Sequence, residues 1–371
     1  NTLSAITPDI DFIRIGSELA CDVAYRSHLI ENVLEPCATR RAVQERIAHC
    51  RVFVGTVATL SSKTELFKLK TFDVAIVDEA TQILEPQLLG LLCVRSVAGG
   101  NAIGKFVLIG DHKQLPAVVL QASEYAEVYD ESLRAIGIRN LKDSLFERLY
   151  RNACPRACDM LQRQGRMNEE IARFPSEAFY GGLLKPVGLP HQYGQLSLAD
   201  GLQGCEWADL LTRRVAFIPS IPEPPMQSIK INHSEAHIAA CLAAAVYRQY
   251  AAQSDFNPSS TLGIITPYRS QIALIKKELE TQGIPALNGI LVDTVERFQG
   301  SERDVIIYSF CVNRAYQLKF LANMTEENGV LIDRKLNVAL TRARKQMFVT
   351  GVPELLRQNA IYKRLLQAID N

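Results

Sequence analysis

The sequence has almost no net charge: 41 Lys and Arg against 40 Asp and Glu leave +1 at neutral pH. No global basic field therefore advertises a nucleic-acid partner, and any such function must rest on local residues. A narrow strand-binding groove needs only a few cations and hydroxyls, so near-neutrality does not exclude one. No apolar run approaches the roughly 18 residues of a membrane-spanning helix, which argues against a membrane partner. The chain begins with Asn rather than Met, so the lack of a signal-peptide pattern is uninformative. Nine scattered cysteines, an odd number, argue against a disulfide framework and for a reducing interior, cytoplasmic or nuclear. Cys154 and Cys158 form the one close pair, and without a second pair at matching spacing they do not make a zinc site. Also missing is a Gly-rich loop ending in Lys-Ser/Thr, the usual cradle for β- and γ-phosphates. Gly99 to Lys105 imitates its spacing, but Phe106 stands where the hydroxyl belongs and the segment leads into a strand instead of following one. It reads as a surface loop.

What is present is a globular composition, 47% hydrophobic and 22% charged, in a chain of 371 residues that is long enough for two domains. Apolar β-branched runs alternate with helical patterns, which predicts an α/β protein with mainly parallel sheets flanked by helices. A division near residue 155 is expected. Before it, helical segments are expected around Ser17 to Leu34 and Arg40 to His49, a strand at Arg51 to Val57, and buried strands ending at Asp78 and Asp111. After it, strands are expected at Val215 to Pro219, Leu262 to Thr266, Leu291 to Val295, Asp304 to Phe310 and Gln346 to Thr350. Helices are expected there at Ser234 to Ala251 and Ser270 to Gln282. The Pro-rich run from Pro219 to Pro225 and the Gly-rich run from Tyr193 to Gly204 read as connecting loops. No internal repeat is visible.

The run Val77-Asp78-Glu79-Ala80-Thr81-Gln82, directly after the apolar stretch from Phe72, carries the most chemical information. Open α/β sheets place their chemistry at the carboxyl ends of strands. One carboxylate can hold Mg²⁺ through its water shell while its neighbour orients and deprotonates an attacking water. An Asp-Glu pair after a strand is also a common solvated turn, where negative charge before a helix is favoured anyway. A second element of the same kind breaks the tie. Lys105 to Pro116 is again a strand delivering an acid, Asp111, and an amide, Gln114, with Gly110 expected to allow a tight turn. Four further blocks follow in order: Leu161 to Met167, Gly263 to Gln271, Val292 to Asp304 and Leu336 to Arg344.

Taken together, the six blocks resemble motifs II to VI of superfamily 1 helicases. The chain is most similar to the branch of the nonsense-mediated-decay RNA helicase and the helicase-nuclease of Okazaki-fragment processing. Both share the forms seen here at Asp78 to Gln82 and Asn337 to Ala343. The resemblance implies two RecA-like domains, residues 1–155 carrying motifs Ic to III and residues 156–371 carrying motifs IV to VI, with ATP and Mg²⁺ as cofactors and single-stranded DNA or RNA as partner. By residue, Asp78 would hold the metal and Glu79 would act as the base. Gln82, Asp111 and Glu302 would lie at the nucleotide, and Gln114 would sense the γ-phosphate. Arg166 and Arg342 would act as arginine fingers, whose planar fork lysine cannot replace. Thr56, Thr266, Tyr268 and Thr294 match positions that touch the strand backbone, although Thr is also an ordinary β-former. Arg344 and Phe298 stay ambiguous, Phe298 reading better as core.

Two departures qualify the resemblance. The family form Gln-Tyr-Arg-Met is Gln164-Gly165-Arg166-Met167 here, so an aromatic that would pack on the nucleotide base is absent. The phosphate loop lies upstream of motif II in the family. Its absence leads to the expectation that the chain is an N-terminally truncated fragment, inactive alone, whose phosphate loop sits in an upstream part of the same polypeptide. Two other readings stay open: a catalytically inactive helicase-like regulatory module, and a nucleotide-switched interaction module without nucleic acid.

Overall fold

The computed structural model describes residues 7, 9–152, 155–226 and 228–370. Contacts divide the chain into two compact units, Asn1–His112 with Pro116–Cys158, and Lys113–Leu115 with Asp159–Asn371. Cys154 lies outside the described residues, so the Cys154–Cys158 pair is not described.

In the first unit, β1 (Phe12–Ile15) pairs in parallel with β2 (Val52–Gly55), and β3 (Phe72–Val77) pairs in parallel with β4 (Ile103–Leu108). Ile13, Ile15, Ile47 and Leu91 close one small core around these strands. Helix Arg40–His49 forms where the 3.6-residue pattern predicts, with the Thr39 hydroxyl accepting from the Ala42 N–H as its cap. The segment expected as a helix from Ser17 to Leu34 instead forms two 3₁₀ turns, Glu18–Ala20 and Val23–His28, before a short helix Ile30–Leu34. The Asp22 carboxylate accepts from Ala24 N–H and Leu29 is extended, so local bonds and a backbone break compete with a continuous helix. A second correction concerns β3. Val74 and Ile76 are 46% and 68% exposed, because among the described residues β3 has β4 as its hydrogen-bonded neighbour and nothing covers that face.

In the second unit, β5 (Arg163–Gln164) and β6 (Lys185–Pro186) form a short parallel pair. The main sheet contains β7 (Val215–Pro219), β8 (Leu262–Ile265), β9 (Leu291–Asp293), β10 (Arg303–Ser309) and, beyond the hairpin β11 (Met324–Glu327) and β12 (Val330–Asp333), β13 (Ala343–Gly351). Its order is β7-β13-β10-β8-β9, all neighbours parallel. Every β10 position after Arg303 is buried. Helices His233–Ala251 and Arg269–Thr281 cover one face, where Ala239, Leu242, Val246 and Ile275 meet Ile264, Val305 and Ile307. Helices Glu169–Phe179, Arg334–Leu340 and Ala360–Asp370 cover the other, packing on Ile306, Tyr308 and Val349. A parallel sheet buried on both faces accounts for its nearly continuous apolar runs.

The β11–β12 hairpin was not anticipated. Its two-residue turn is Asn328-Gly329, with φ of +51° and +77°, the left-handed pair that favours Asn-Gly. At Gly110 the reason for glycine is close approach, not a turn: a Cβ there would lie 3.0 Å from Thr81 Cγ2. No helix among the described residues is long and apolar enough to cross a membrane.

Candidate nucleotide site and strand track

In the first unit, Asp78 and Glu79 follow β3 and are exposed. Asp78 Oδ1 accepts the Glu79 N–H at 2.9 Å. Glu79 itself adopts φ +51°, ψ +37°, a left-handed conformation that costs a non-glycine residue free energy. The turn is held by its surroundings, with Ala80 N–H donating to Ile109 O and Ile109 N–H to Val77 O, both at 2.8 Å. Gln82 Nε2 donates to Glu79 Oε2 at 2.6 Å and so fixes the carboxylate's direction. Asp111 is half-buried after β4. Among the described residues no group of three His, Cys, Asp or Glu could hold a metal by itself.

In the second unit, Lys113 to Leu115 and three other sequence blocks come together. Arg342, 2% exposed, donates from Nε to Val338 O (3.0 Å), and from Nη2 to Thr341 Oγ1 (3.0 Å) and Gln114 Oε1 (3.2 Å). Arg166 donates from Nε to Glu302 Oε2 at 2.7 Å and from Nη1 to Thr341 O at 3.2 Å. Arg344 lies 3.6 Å from the other Glu302 oxygen and 3.2 Å from Asp304. Partial burial raises the Glu302 carboxyl, but the Arg166 hydrogen bond and the charges of Arg166, Arg344 and Arg342 outweigh it and hold it below the usual carboxylate range. The amide of Gln114 is delivered by its neighbour. Lys113 pairs with Glu327 of the hairpin (3.0 Å) and donates to Phe179 O (2.9 Å), while Asn337 Nδ2 donates to Lys113 O and to the Tyr180 hydroxyl, each at 2.8 Å. Motif reading supplied Gln114, Arg166, Glu302 and Arg342. It missed Lys113 and Glu327, and Glu327 had only the Asn328-Gly329 turn to point to it.

The candidate strand-contacting residues are less alike than their common chemistry suggests. Thr56 is exposed, and its hydroxyl caps helix Val57–Ser62 by accepting from Thr59 N–H at 3.2 Å. Thr266 is fully buried, and its Oγ1 has no hydrogen-bond partner among the described residues. Tyr268 is half-buried, its hydroxyl accepting from Gln317 Nε2 at 3.2 Å. Thr294, half-buried, precedes helix Val295–Phe298. Phe298 is a core residue, 0% exposed.

Comparison with known proteins decides the family. A family model described as an AAA domain matches residues 141–354, more than half of the chain, and a second of the same description matches residues 30–122. The chain belongs to this family, within the superfamily 1 helicases. Among relatives, an uncharacterized ATP-dependent helicase of Methanocaldococcus jannaschii is 30% identical over 89% of this chain and 43% of its own length. The DNA polymerase alpha-associated DNA helicase A of Saccharomyces cerevisiae is 30% identical over 86% and 44%. The DNA replication ATP-dependent helicase/nuclease of Schizosaccharomyces pombe is 28% identical over 98% and 24%. The chain thus spans less than half of each. Among solved structures, an arterivirus nonstructural protein 10 helicase in complex with DNA aligns with 95% of this superfamily 1 chain and 50% of its own, at 12% identity and a TM-score of 0.37.

Proposed function

We propose that the protein containing this chain is an ATP-driven helicase or translocase that moves 5′-to-3′ on single-stranded DNA or RNA. The observation that carries the reading is the convergence of Gln114, Arg166, Glu302 and Arg342 around Thr341, in a chain of a helicase family. The names of two relatives, a DNA helicase and a DNA replication helicase/nuclease, favour DNA.

The donor set fits Mg-ATP, since Asp78, Glu79, Gln82 and Asp111 offer hard oxygen ligands and acceptors without thiol or imidazole. Bound Mg-ATP supplies the scissile γ-phosphate and a cation that screens its charge. Asp78 holds the metal. Glu79, aimed by Gln82, orients the attacking water and takes its proton. Arg166 and Arg342 neutralise the charge that develops on the phosphoryl oxygens. Gln114 and Arg342 pair with each other here, so engaging a γ-phosphate means exchanging that bond. In this reading the exchange reports nucleotide state to the rest of the protein. The cradle for β- and γ-phosphates has no counterpart in these 371 residues and is assigned to an upstream part of the same polypeptide. Thr56, Tyr268 and Thr294 contribute hydroxyls to the strand's phosphates. Thr266, fully buried with its N–H donated to Asp293 O at 3.1 Å, does not itself face the strand.

The test is unwinding by the full-length protein of duplexes with a 5′ or a 3′ single-stranded tail, in DNA and RNA, with strand binding titrated at two salt concentrations. ATP-dependent unwinding from the 5′ tail and a steep salt dependence are expected. Strand affinity absent at low salt would favour a nucleotide-switched module instead.

A further inference from the structure

The carboxyl end of the main sheet holds a buried polar chain that the nucleotide chemistry does not use. Glu235, 0% exposed, sits in the first turn of helix His233–Ala251, whose cap Asn232 accepts the Glu235 N–H at 2.8 Å. Its carboxylate gathers three donors from two strand ends: Ser309 Oγ–H (2.7 Å), Cys311 N–H (2.8 Å) and Ser220 Oγ–H (3.3 Å). Cys311 is itself held at φ +49°, so this bond fixes a backbone that a non-glycine residue rarely adopts. From Asn232 the chain continues in two directions. Gln271 clamps the Asn232 backbone on both sides, accepting its N–H at 2.8 Å and donating to its carbonyl at 3.0 Å. Asn232 Nδ2 donates to Asn313 Oδ1 at 2.8 Å, Asn313 N–H to Gln317 Oε1 at 2.9 Å, and Gln317 Nε2 to the Tyr268 hydroxyl at 3.2 Å. Glu235, Asn232, Gln271, Asn313 and Gln317 are all essentially buried. The network is satisfied at every link named, and it ends on the one half-buried aromatic of the candidate strand track.

We propose that Glu235 is a positioning residue for strand binding: its carboxylate holds the Cys311 N–H, and through the backbone from Cys311 to Asn313 and the side chain of Gln317, which donates to the Cys311 carbonyl at 3.4 Å, it fixes where Tyr268 and the loop from Thr266 present themselves to a single strand. The proposal rests on the functional reading above. Glu235 touches no strand; it acts through the backbone of residues 309–313 and the side chains that follow. An apolar residue would fill the same volume without burying a carboxylate, and a lone structural anchor would not need a bonded path to Tyr268.

The experiment measures ATP hydrolysis by the full-length protein against single-stranded oligonucleotide concentration, for wild type, Glu235→Gln, Tyr268→Phe and the double variant. Glu235→Gln is expected to raise the half-saturating strand concentration about tenfold, as for loss of one buried hydrogen bond, while kcat at saturating strand and KM for ATP stay within about twofold. Tyr268→Phe is expected to raise it about threefold, with the double variant no worse than Glu235→Gln alone, since both cut one path. Equal losses in kcat and in strand affinity, or full additivity, would overturn the proposal. Should Glu235→Gln fail to fold, Tyr268→Phe decides alone: unchanged strand affinity rules the path out. A wild type without strand stimulation would instead overturn the functional reading.

Discussion

The two units treat their signature residues in opposite ways. In the second, Arg342 is 2% exposed and tied to Val338, Thr341 and Gln114, Glu302 is shared by Arg166 and Arg344, and the sheet beneath is covered on both faces. In the first, Asp78 and Glu79 stand exposed at the end of a two-stranded sheet whose Val74, Ile76, Val107 and Ile109 meet solvent. The groups proposed to read charge are thus each held by several side-chain and carbonyl partners, whereas the groups proposed for metal and water are held by one strained turn and a single amide. Donors already held in place lose less freedom when a ligand arrives, although the Gln114–Arg342 bond must be exchanged, while exposed carboxylates wait for a ligand to order them.

The contrast can be broken experimentally, beginning with the largest effect. Arg342→Ala in the full-length protein is expected to lower strand-stimulated ATP turnover about a thousandfold or more, with Arg342→Lys recovering little of it. Turnover within tenfold of wild type would remove Arg342 from the chemistry and leave it a core residue. The sheets should differ nearly as sharply: amide hydrogen exchange at β8, β10 and β13 is expected to be orders of magnitude slower than at β3 and β4. Equal protection would mean that the face carrying Val74 and Ile76 is covered in solution. Next comes packing in the second unit, where a Cβ at Gly263 would lie 2.6 Å from Phe298 Cε1. Gly263→Ala is expected to cost about 1–3 kcal/mol in urea or thermal unfolding, because overpacking a closed core displaces rotamers.

The buried carboxyl gives a pH signature. Burial, outweighing the Cys311, Ser309 and Ser220 bonds, pushes Glu235 up to about 7. The titratable groups nearest it, Cys311 and Tyr308, are themselves raised chiefly by burial and stay protonated, and the Glu223 carboxylate is paired with His233. A raised folded-state value means that the native state binds the extra proton. Glu235 therefore stabilises the fold below its ordinary range near 4.5, and that contribution is lost as pH rises toward 7. Glu235→Gln should flatten this part of the unfolding curve, which denaturant melts at pH 5 and pH 8 would reveal. An effect no larger than that at Gly263 is expected at Gly165. A Cβ there would make ordinary 3.5 Å contacts with Leu189 and Val187, so the backbone leaves room for a side chain. Gly165→Tyr is expected to tighten nucleotide binding by about 1–3 kcal/mol through base stacking, read from the Kd of a fluorescent ATP analogue.

How far the sequence foretold this depends on the range of the interactions. The main sheet was legible because buried parallel strands read as short β-branched runs: Val215–Pro219 appears as expected, and β8, β10 and β13 shift by only a few residues at their ends. The Ser17 to Leu34 segment was not, since Asp22 bonds its own neighbourhood and defeats the helical pattern. The exposure of β3 could not be read either, because an apolar run does not state what lies over it. The Asn328-Gly329 turn was legible and overlooked. Motif matching named Gln114 and Arg342 separately. Their hydrogen bond, across 228 positions, and the path from Glu235 to Tyr268 are long-range facts that no local pattern contains. Asn232 with Glu235 three residues on marks a helix start, but that signal does not distinguish a cap from an anchor.

The most direct test of the account is ATP hydrolysis by the full-length protein with and without single-stranded DNA or RNA, in wild type and Glu79→Gln. Strand-stimulated turnover in the wild type, lost by about a hundredfold or more in Glu79→Gln while strand binding persists, is the predicted result. Turnover that ignores both the strand and the substitution, or none at all in the intact wild type, would contradict it.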